Sequence, residues 1–297
     1  MDIILYCFVL GLGLCIGSFL NVCVYRLPRE MSLTHPGSHC PCCNEAIAWY
    51  DNIPVLSWLA LRGLCRRCGV LISPRYLLVE VLTGGVFVWV YHVHVTAQAS
   101  MASGGEPTVL AAIPTLGAYL ILAAALIASS FVDIERMMIP DEIAIGGMYV
   151  GPVLCAIWPE IIVHDKPLTG WLLDWMGASS GGMLGGLAAS VIGMGIGAGV
   201  IYAAAVFGKA LFRKEAMGFG DVKFMGMVGA FIGWQGALLT FFVACVLGAI
   251  LGIALLIRRR NSHIPFGPYL AAGALVAMLH KGVILRLFFE FPRSFGS

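Results

Sequence analysis

Apolar residues in this chain run on without polar interruption instead of alternating with it. Runs of this kind occupy residues 3–24, 76–95, 110–132, 143–158, 180–207, 222–234, 237–257 and 266–280. Crossing the hydrocarbon of a bilayer takes about 20 apolar residues in a helix. Backbone amides and carbonyls find no water there, so each run is expected to be helical. The fold class that follows is an all-α polytopic membrane protein with about eight transmembrane helices. The run at 222–234 is short, and only Gln235 and Gly236 part it from the next. It reads either as a crossing or as a re-entrant segment.

Composition narrows the picture. The chain is 60% hydrophobic and 11% charged, which excludes an ordinary soluble domain. A formal charge of +2 gives no reason to expect a nucleic-acid partner. The 18 Lys and Arg residues are distributed unevenly. With the N-terminus outside, Arg26, Arg29, Arg62, Arg66, Arg67, Arg75, Arg136, Lys209, Arg213, Lys214, Lys223 and the run from Arg258 to Arg260 gather on one side. Lys166, Lys281, Arg286 and Arg293 remain opposite. Positive charge is retained in the cytoplasm, so the loop at 26–75 is expected there. Asp2, the lack of a basic leader segment and the arginines after the first run point to an anchor that is kept.

Five of the ten cysteines (Cys7, Cys15, Cys23, Cys155 and Cys245) fall in apolar runs and read as packing. The others form Cys40-Pro41-Cys42-Cys43 and Cys65-Arg66-Arg67-Cys68, with 21 residues between Cys43 and Cys65. Two residues between ligands let one tight turn aim two sulfurs at a tetrahedral ion. A reducing cytoplasm disfavours disulfides. Cys40, Cys43, Cys65 and Cys68 are therefore the expected ligands of a structural Zn2+, with Cys42 as a substitute for Cys43 or a free thiol. The domain division that results is 1–25, a first transmembrane helix; 26–75, a cytoplasmic zinc knuckle; and 76–297, the remaining membrane domain.

Asp133, Asp141 and Asp221 lie at the inner ends of apolar runs, where an ionisable group is costly and usually faces a bundle interior or an aqueous cavity. Asp133 stands before the break Met137-Met138-Ile139-Pro140, and Asp221 closes Met217-Gly218-Phe219-Gly220-Asp221-Val222-Lys223. The plainer alternative pairs these acids with Arg136 or Lys223, or makes them helix caps. Glu80, a turn inside the second run, reads equally as a ligand contact or as a hydrogen bond to a neighbouring helix.

Gly218-x-Gly220-Asp221 with Lys223, together with Asp133 seven residues before Pro140, resembles the GxGD membrane aspartyl peptidases, most closely the bacterial type IV prepilin leader peptidases. The paired cysteines, the stretch from Asp51 to Gly63, the stretch from Ile72 to Glu80, and Ile264-Pro265-Phe266-Gly267-Pro268 fit the same pattern. The resemblance implies an aspartyl endopeptidase domain at 76–297 with Asp133 and Asp221 as its catalytic dyad. It implies cleavage of a basic leader at a Gly-Phe-type bond in type IV prepilins and type II secretion pseudopilins on the cytoplasmic face. Methylation of the new N-terminus by S-adenosylmethionine would follow. Gly218, Gly220, Lys223 and Glu80 become candidate substrate contacts, and pilus or secretion assembly machinery becomes a candidate partner. The competing reading is a small ion or proton-coupled transporter whose pathway is lined by Glu80, Asp133 and Asp141, with the zinc loop as its gate.

Overall fold

The computed structural model describes residues 2–101, 109–162, 182–212, 218–257 and 265–290. Every α or 3-10 element among them is helical, and pairing between extended segments is limited to two isolated bridges. The α-helices are α1 Asp2–Arg26, α2 Leu56–Ala60, α3 Pro74–Met101, α4 Val109–Arg136, α5 Asp141–Ile157, α6 Met183–Phe212, α7 Phe219–Ile257 and α8 Gly267–Glu290. Lys166, Arg213, Lys214, Met217, Arg258, Arg259, Arg260, Ile264 and Arg293 lie outside the described residues.

The described parts of the eight apolar runs lie almost wholly in helices. Among the described residues five helical stretches are long and apolar enough to cross a membrane: Ile3–Arg29, Pro74–Thr96, Ile113–Arg136, Met183–Leu211 and Phe219–Leu255. Helix α5 has only 17 residues. The runs at 222–234 and 237–257 form the single element α7, and its break lies at Gly233, not at Gln235-Gly236. Gly233 has φ 75° and ψ 178°, a conformation open to glycine alone without strain. Met225 and Ala237, one on each arm of the bend, both pack on Gly197 of α6. The bend frees the carbonyl of Ile232, and Lys281 of α8 donates to it at 3.2 Å, placing a cation at the negative end of the first arm.

The chain divides by its contacts into two units, Met1–Pro107 and Thr108–Ser297. In the first, α1 and α3 run antiparallel, and glycines let their backbones close. A Cβ at Gly13 would sit 2.8 Å from the Cα of Gly84, and one at Gly17 would sit 2.7 Å from the Cα of Glu80. Asn21 Nδ2 donates to the Tyr76 carbonyl at 3.0 Å at the end of this contact. The first unit thus holds α1, the cysteine loop and α3. In the second unit α7 is the centre, packed by α5, α6 and α8, while α4 lies on α8 and α5. Phe224, Met225, Met227 and Phe231 of α7, with Leu122, Leu126, Ile201 and Leu270 around them, are fully buried.

The turn between α4 and α5 carries the later argument. Met137 leaves α4 at φ 53°, its amide bonding back to the Asp133 carbonyl at 2.8 Å. Pro140, extended at ψ 130°, then starts α5 with Asp141 and Glu142 in the first turn, where acids complement the helix dipole.

Replacing Gly233 by Ala forces a Cβ into a backbone conformation that side-chain-bearing residues avoid. The expected cost is about 1–3 kcal/mol of stability, read as a lowered melting temperature of the detergent-solubilised protein. Gly252→Ala, inside the same helix where a Cβ meets nothing within 4 Å, is the control and should hold or raise that temperature.

Candidate active site and metal centre

The cysteine loop consists of two turns built alike. In the first, the Asn44 amide bonds to the Cys40 carbonyl and the Cys40 amide to the Glu45 carbonyl, both at 2.9 Å. In the second, Gly69 bonds to Cys65 and Cys65 to Val70, again at 2.9 Å. Asn44 and Gly69 both stand in the left-handed region, at φ 54° and 69°, and these two residue types tolerate it best. Each turn thus points its two sulfurs the same way.

The sulfurs of Cys40, Cys43, Cys65 and Cys68 lie within 4.8 Å of one another, and those of Cys40 and Cys68 are 3.7 Å apart. A tetrahedral zinc site with Zn–S bonds of about 2.3 Å has sulfur–sulfur edges of roughly 3.8 Å, so the donor set fits that ion. Cys42 and Cys43 are both exposed, and it is the Cys43 sulfur that stands in the group of four. The electrostatics agree. Backbone amides of Cys43 and Cys42 pull the Cys40 thiol down to about 6. Cys68 goes the other way: although the Val70 amide favours its thiolate, burial and hydrogen bonds with Cys65, Cys40 and Cys43 push it to about 12. Four thiols this close share protons until a divalent cation replaces them. His39 is engaged elsewhere, its Nδ1 2.9 Å from the Gly37 carbonyl.

In the second unit Asp133, on the last turn of α4, is 6% exposed. Its Oδ2 accepts a hydrogen bond at 2.8 Å from the amide of Gly267, the first residue of α8. That amide is one of the donors a helix N-terminus leaves without an internal partner, and it lies at the positive end of the dipole. A Cβ at Gly267 would stand 2.6 Å from the same oxygen, so only glycine brings its amide this close. Asp221, in the first turn of α7, accepts from the Gly218 amide at 3.2 Å, and Gly220 packs on Ile139. Asp133 and Asp221 lie close enough for direct Coulombic interaction. The loop α4–α5, the start of α7 and the start of α8 therefore bring the two acids together.

Lys223 and Asp141 pair with each other. Lys223 Nζ donates to both oxygens of Asp141 at 2.7 Å, joining the first turns of α7 and α5, so this lysine is turned toward the pair with Asp141. Glu80 lies in the first unit, 8% exposed. Its Oε2 accepts from the Val55 amide at 2.8 Å, and the Ser18 hydroxyl also reaches it. The contact of Gly267 with Asp133 was not legible in the sequence, where Gly267 stood only as part of the stretch Ile264-Pro265-Phe266-Gly267-Pro268 that fits the family pattern.

Comparison with known proteins agrees across the chain. Residues 11–94 match the bacterial peptidase A24 N-terminal domain, and residues 120–253 match the type IV leader peptidase family. A protein of Stutzerimonas stutzeri named prepilin leader peptidase/N-methyltransferase is 33% identical over 96% of this chain and 93% of its own length. Proteins of the same name from Aeromonas hydrophila, 34% identical over 92% of the chain and 90% of their length, and Pseudomonas aeruginosa, 33% over 94% and 92%, are similarly related. No solved structure matches.

Two outcomes test these sites. Replacing Cys40 and Cys65 together by Ser should abolish bound metal in elemental analysis, whereas Cys42→Ser should leave about one zinc per chain. Gly267→Ala should displace the Asp133 carboxylate and lower peptide cleavage by on the order of 100-fold; the purified protein should still elute as wild type.

Proposed function

This chain belongs to the type IV leader peptidase family, and from that membership we propose that it is a membrane-embedded aspartyl endopeptidase that removes the basic leader from prepilins and pseudopilins and methylates the new N-terminus. Asp133 and Asp221 form the catalytic dyad. The observation that carries this assignment is that two acids from distant parts of the sequence sit within Coulombic reach, each with a backbone amide on one carboxylate oxygen.

The chemistry follows from the pair. Two neighbouring carboxylates do not readily both ionise, so the dyad shares a proton and titrates as a unit. The ionised member takes a proton from water as that water attacks the scissile carbonyl, and the protonated member donates to the carbonyl oxygen. The carboxyl that took the water proton then gives it to the leaving nitrogen, the other carboxylate takes back the proton on the former carbonyl oxygen, and the intermediate collapses with breakage of the carbon–nitrogen bond. The Gly267 amide fixes the rotamer of Asp133 by one oxygen and leaves the other to the reaction. The Asp141–Lys223 pair keeps the lysine's charge off the dyad while it holds α5 and α7 in register.

The loop would lie on the cytoplasmic side, and Cys40, Cys43, Cys65 and Cys68 would hold a structural zinc that cross-links its two turns. For the methyl donor, S-adenosylmethionine, the cavity of about 410 Å³ in the first unit is lined by no acid that could take its ribose hydroxyls or its ammonium. Glu80 beside that cavity is engaged with Val55 and Ser18, so the side-chain acceptors in its lining are Ser18, Thr34, Ser38 and Asn52. The transporter alternative gains nothing among the described residues, since Asp141 of its pathway is neutralised by Lys223.

Cleavage of a synthetic prepilin by the enzyme in lipid vesicles, followed by mass spectrometry, tests the proposal. Wild type should release the leader and then add one methyl mass to the mature peptide. Asp133→Asn and Asp221→Asn should each slow cleavage by at least 100-fold, as expected on the order of the loss of an acid–base group. They should still methylate a peptide supplied without its leader. Full cleavage by either variant would remove that residue from the dyad.

A further inference from the structure

The segment between the two cysteine turns is placed oddly deep. Glu80 stands six residues into α3, about 9 Å along the helix from Pro74, and it holds the Val55 amide. The cavity in this unit is lined by Asn52 and Pro54 from the loop and by Cys15 and Ser18 from α1. Ser18 lies eight residues before the end of α1 at Arg26, about 12 Å back along the helix. Both helices belong to candidate membrane spans. The loop therefore folds down alongside the α1–α3 pair, below the level at which the two helices end.

The side chains displayed there match that depth. In α2, Leu56 and Leu59 share a face and are 65% and 55% exposed. Trp58 turns the other way, its Nε1 3.4 Å from the Ile72 carbonyl. Helix α2 packs on the turn Trp49–Asn52, where Trp49 is 80% exposed and meets Tyr50 edge-to-face at 5.7 Å. Arg66, ion-paired to Asp51 at 2.6 Å, lies over the Tyr50 ring. Val55, a β-branched residue at φ 62°, holds a conformation it avoids when free; the Glu80 bond fixes it and sets the direction in which α2 leaves. In water so many exposed apolar side chains in a short loop are disfavoured, but Trp, Tyr, Leu and Arg are the residues that suit the headgroup boundary of an anionic leaflet.

We propose that residues 49–61 form an interfacial membrane element, with Trp49, Leu56 and Leu59 inserted in phospholipid of the leaflet where α1 ends and α3 begins. Depth chooses that occupant, since the loop lies beside two candidate spans, and the exposed Arg62 at its end suits acidic headgroups; Arg66 and Arg67 are paired to Asp51 and Glu45. The proposal rests on α1 and α3 spanning the bilayer and is independent of the catalytic assignment.

The experiment uses the full-length protein in vesicles of phosphatidylethanolamine and phosphatidylglycerol, with acyl chains either plain or brominated near the headgroup. Subtracting the emission of Trp49→Phe from that of wild type isolates Trp49. Its emission should be blue-shifted and lose about half its intensity or more in brominated vesicles, as for an interfacial tryptophan. Leu56→Asp combined with Leu59→Asp should shift it to the red and open it to aqueous acrylamide while bound metal stays at the wild-type level. Quenching by acrylamide but not by bromine in the wild type would overturn the proposal, and so would protection from both, which would mean that protein covers this face. The same subtraction for Trp89→Phe, inside α3, must show quenching by bromine; if it does not, the spanning assignment itself falls.

Discussion

A carboxylate buried among apolar helices is costly unless a donor meets it, and this chain meets its acids with backbone amides. Glu80 takes the amide of Val55, Asp133 that of Gly267, and Asp221 that of Gly218. The first two bonds join segments far apart in sequence, and in each the donor lies where the chain starts a helix. An amide at such a point has no partner inside its own helix, so acid and helix end satisfy each other. The first bond fastens the loop to α3, and the second fastens α8 to α4 and holds one oxygen of the Asp133 carboxylate.

The helices were legible because the apolar runs are long, and a membrane leaves the backbone no other form. The position of the α7 break was not. Gln235 and Gly236 look like the interruption, but Gly236 is helical and Gly233 carries the bend, since Lys281 from another helix is available to the carbonyl freed there. By length and composition five helical stretches among the described residues qualify as spans, a measure that leaves out the 17-residue α5 and takes the two apolar runs of α7 as one. Cys40, Cys43, Cys65 and Cys68 could be read from spacing, but choosing Cys43 over Cys42 needed the left-handed Asn44 to set the turn. Asp141 and Lys223 stood out as charged residues near the break, but their pairing crosses 82 positions and has no local signature.

That pairing also bears on the chemistry. Under the proposed mechanism a lysine two residues after Asp221 would, if it reached the acid pair, favour two ionised carboxylates and remove the shared proton which that mechanism needs. Asp141 draws it to the opposite side of the helix start. The Gly-x-Gly-Asp turn and the Pro-Asp turn are thus linked twice, once through the acids they present and once through an ion pair behind them.

The twin cysteine turns have a topological consequence. A metal held by all four sulfurs would close a ring through Cys43 and Cys65, and residues 49–61 would lie wholly within it. Closing a ring of 21 intervening residues removes conformational freedom from the open chain that grows only slowly with its length. The Glu80 bond to Val55 falls well inside the ring and divides it into two smaller arcs. Each arc is short enough that neither can wander far from the helices, so the metal and a single buried acid together confine a segment that has almost no core of its own.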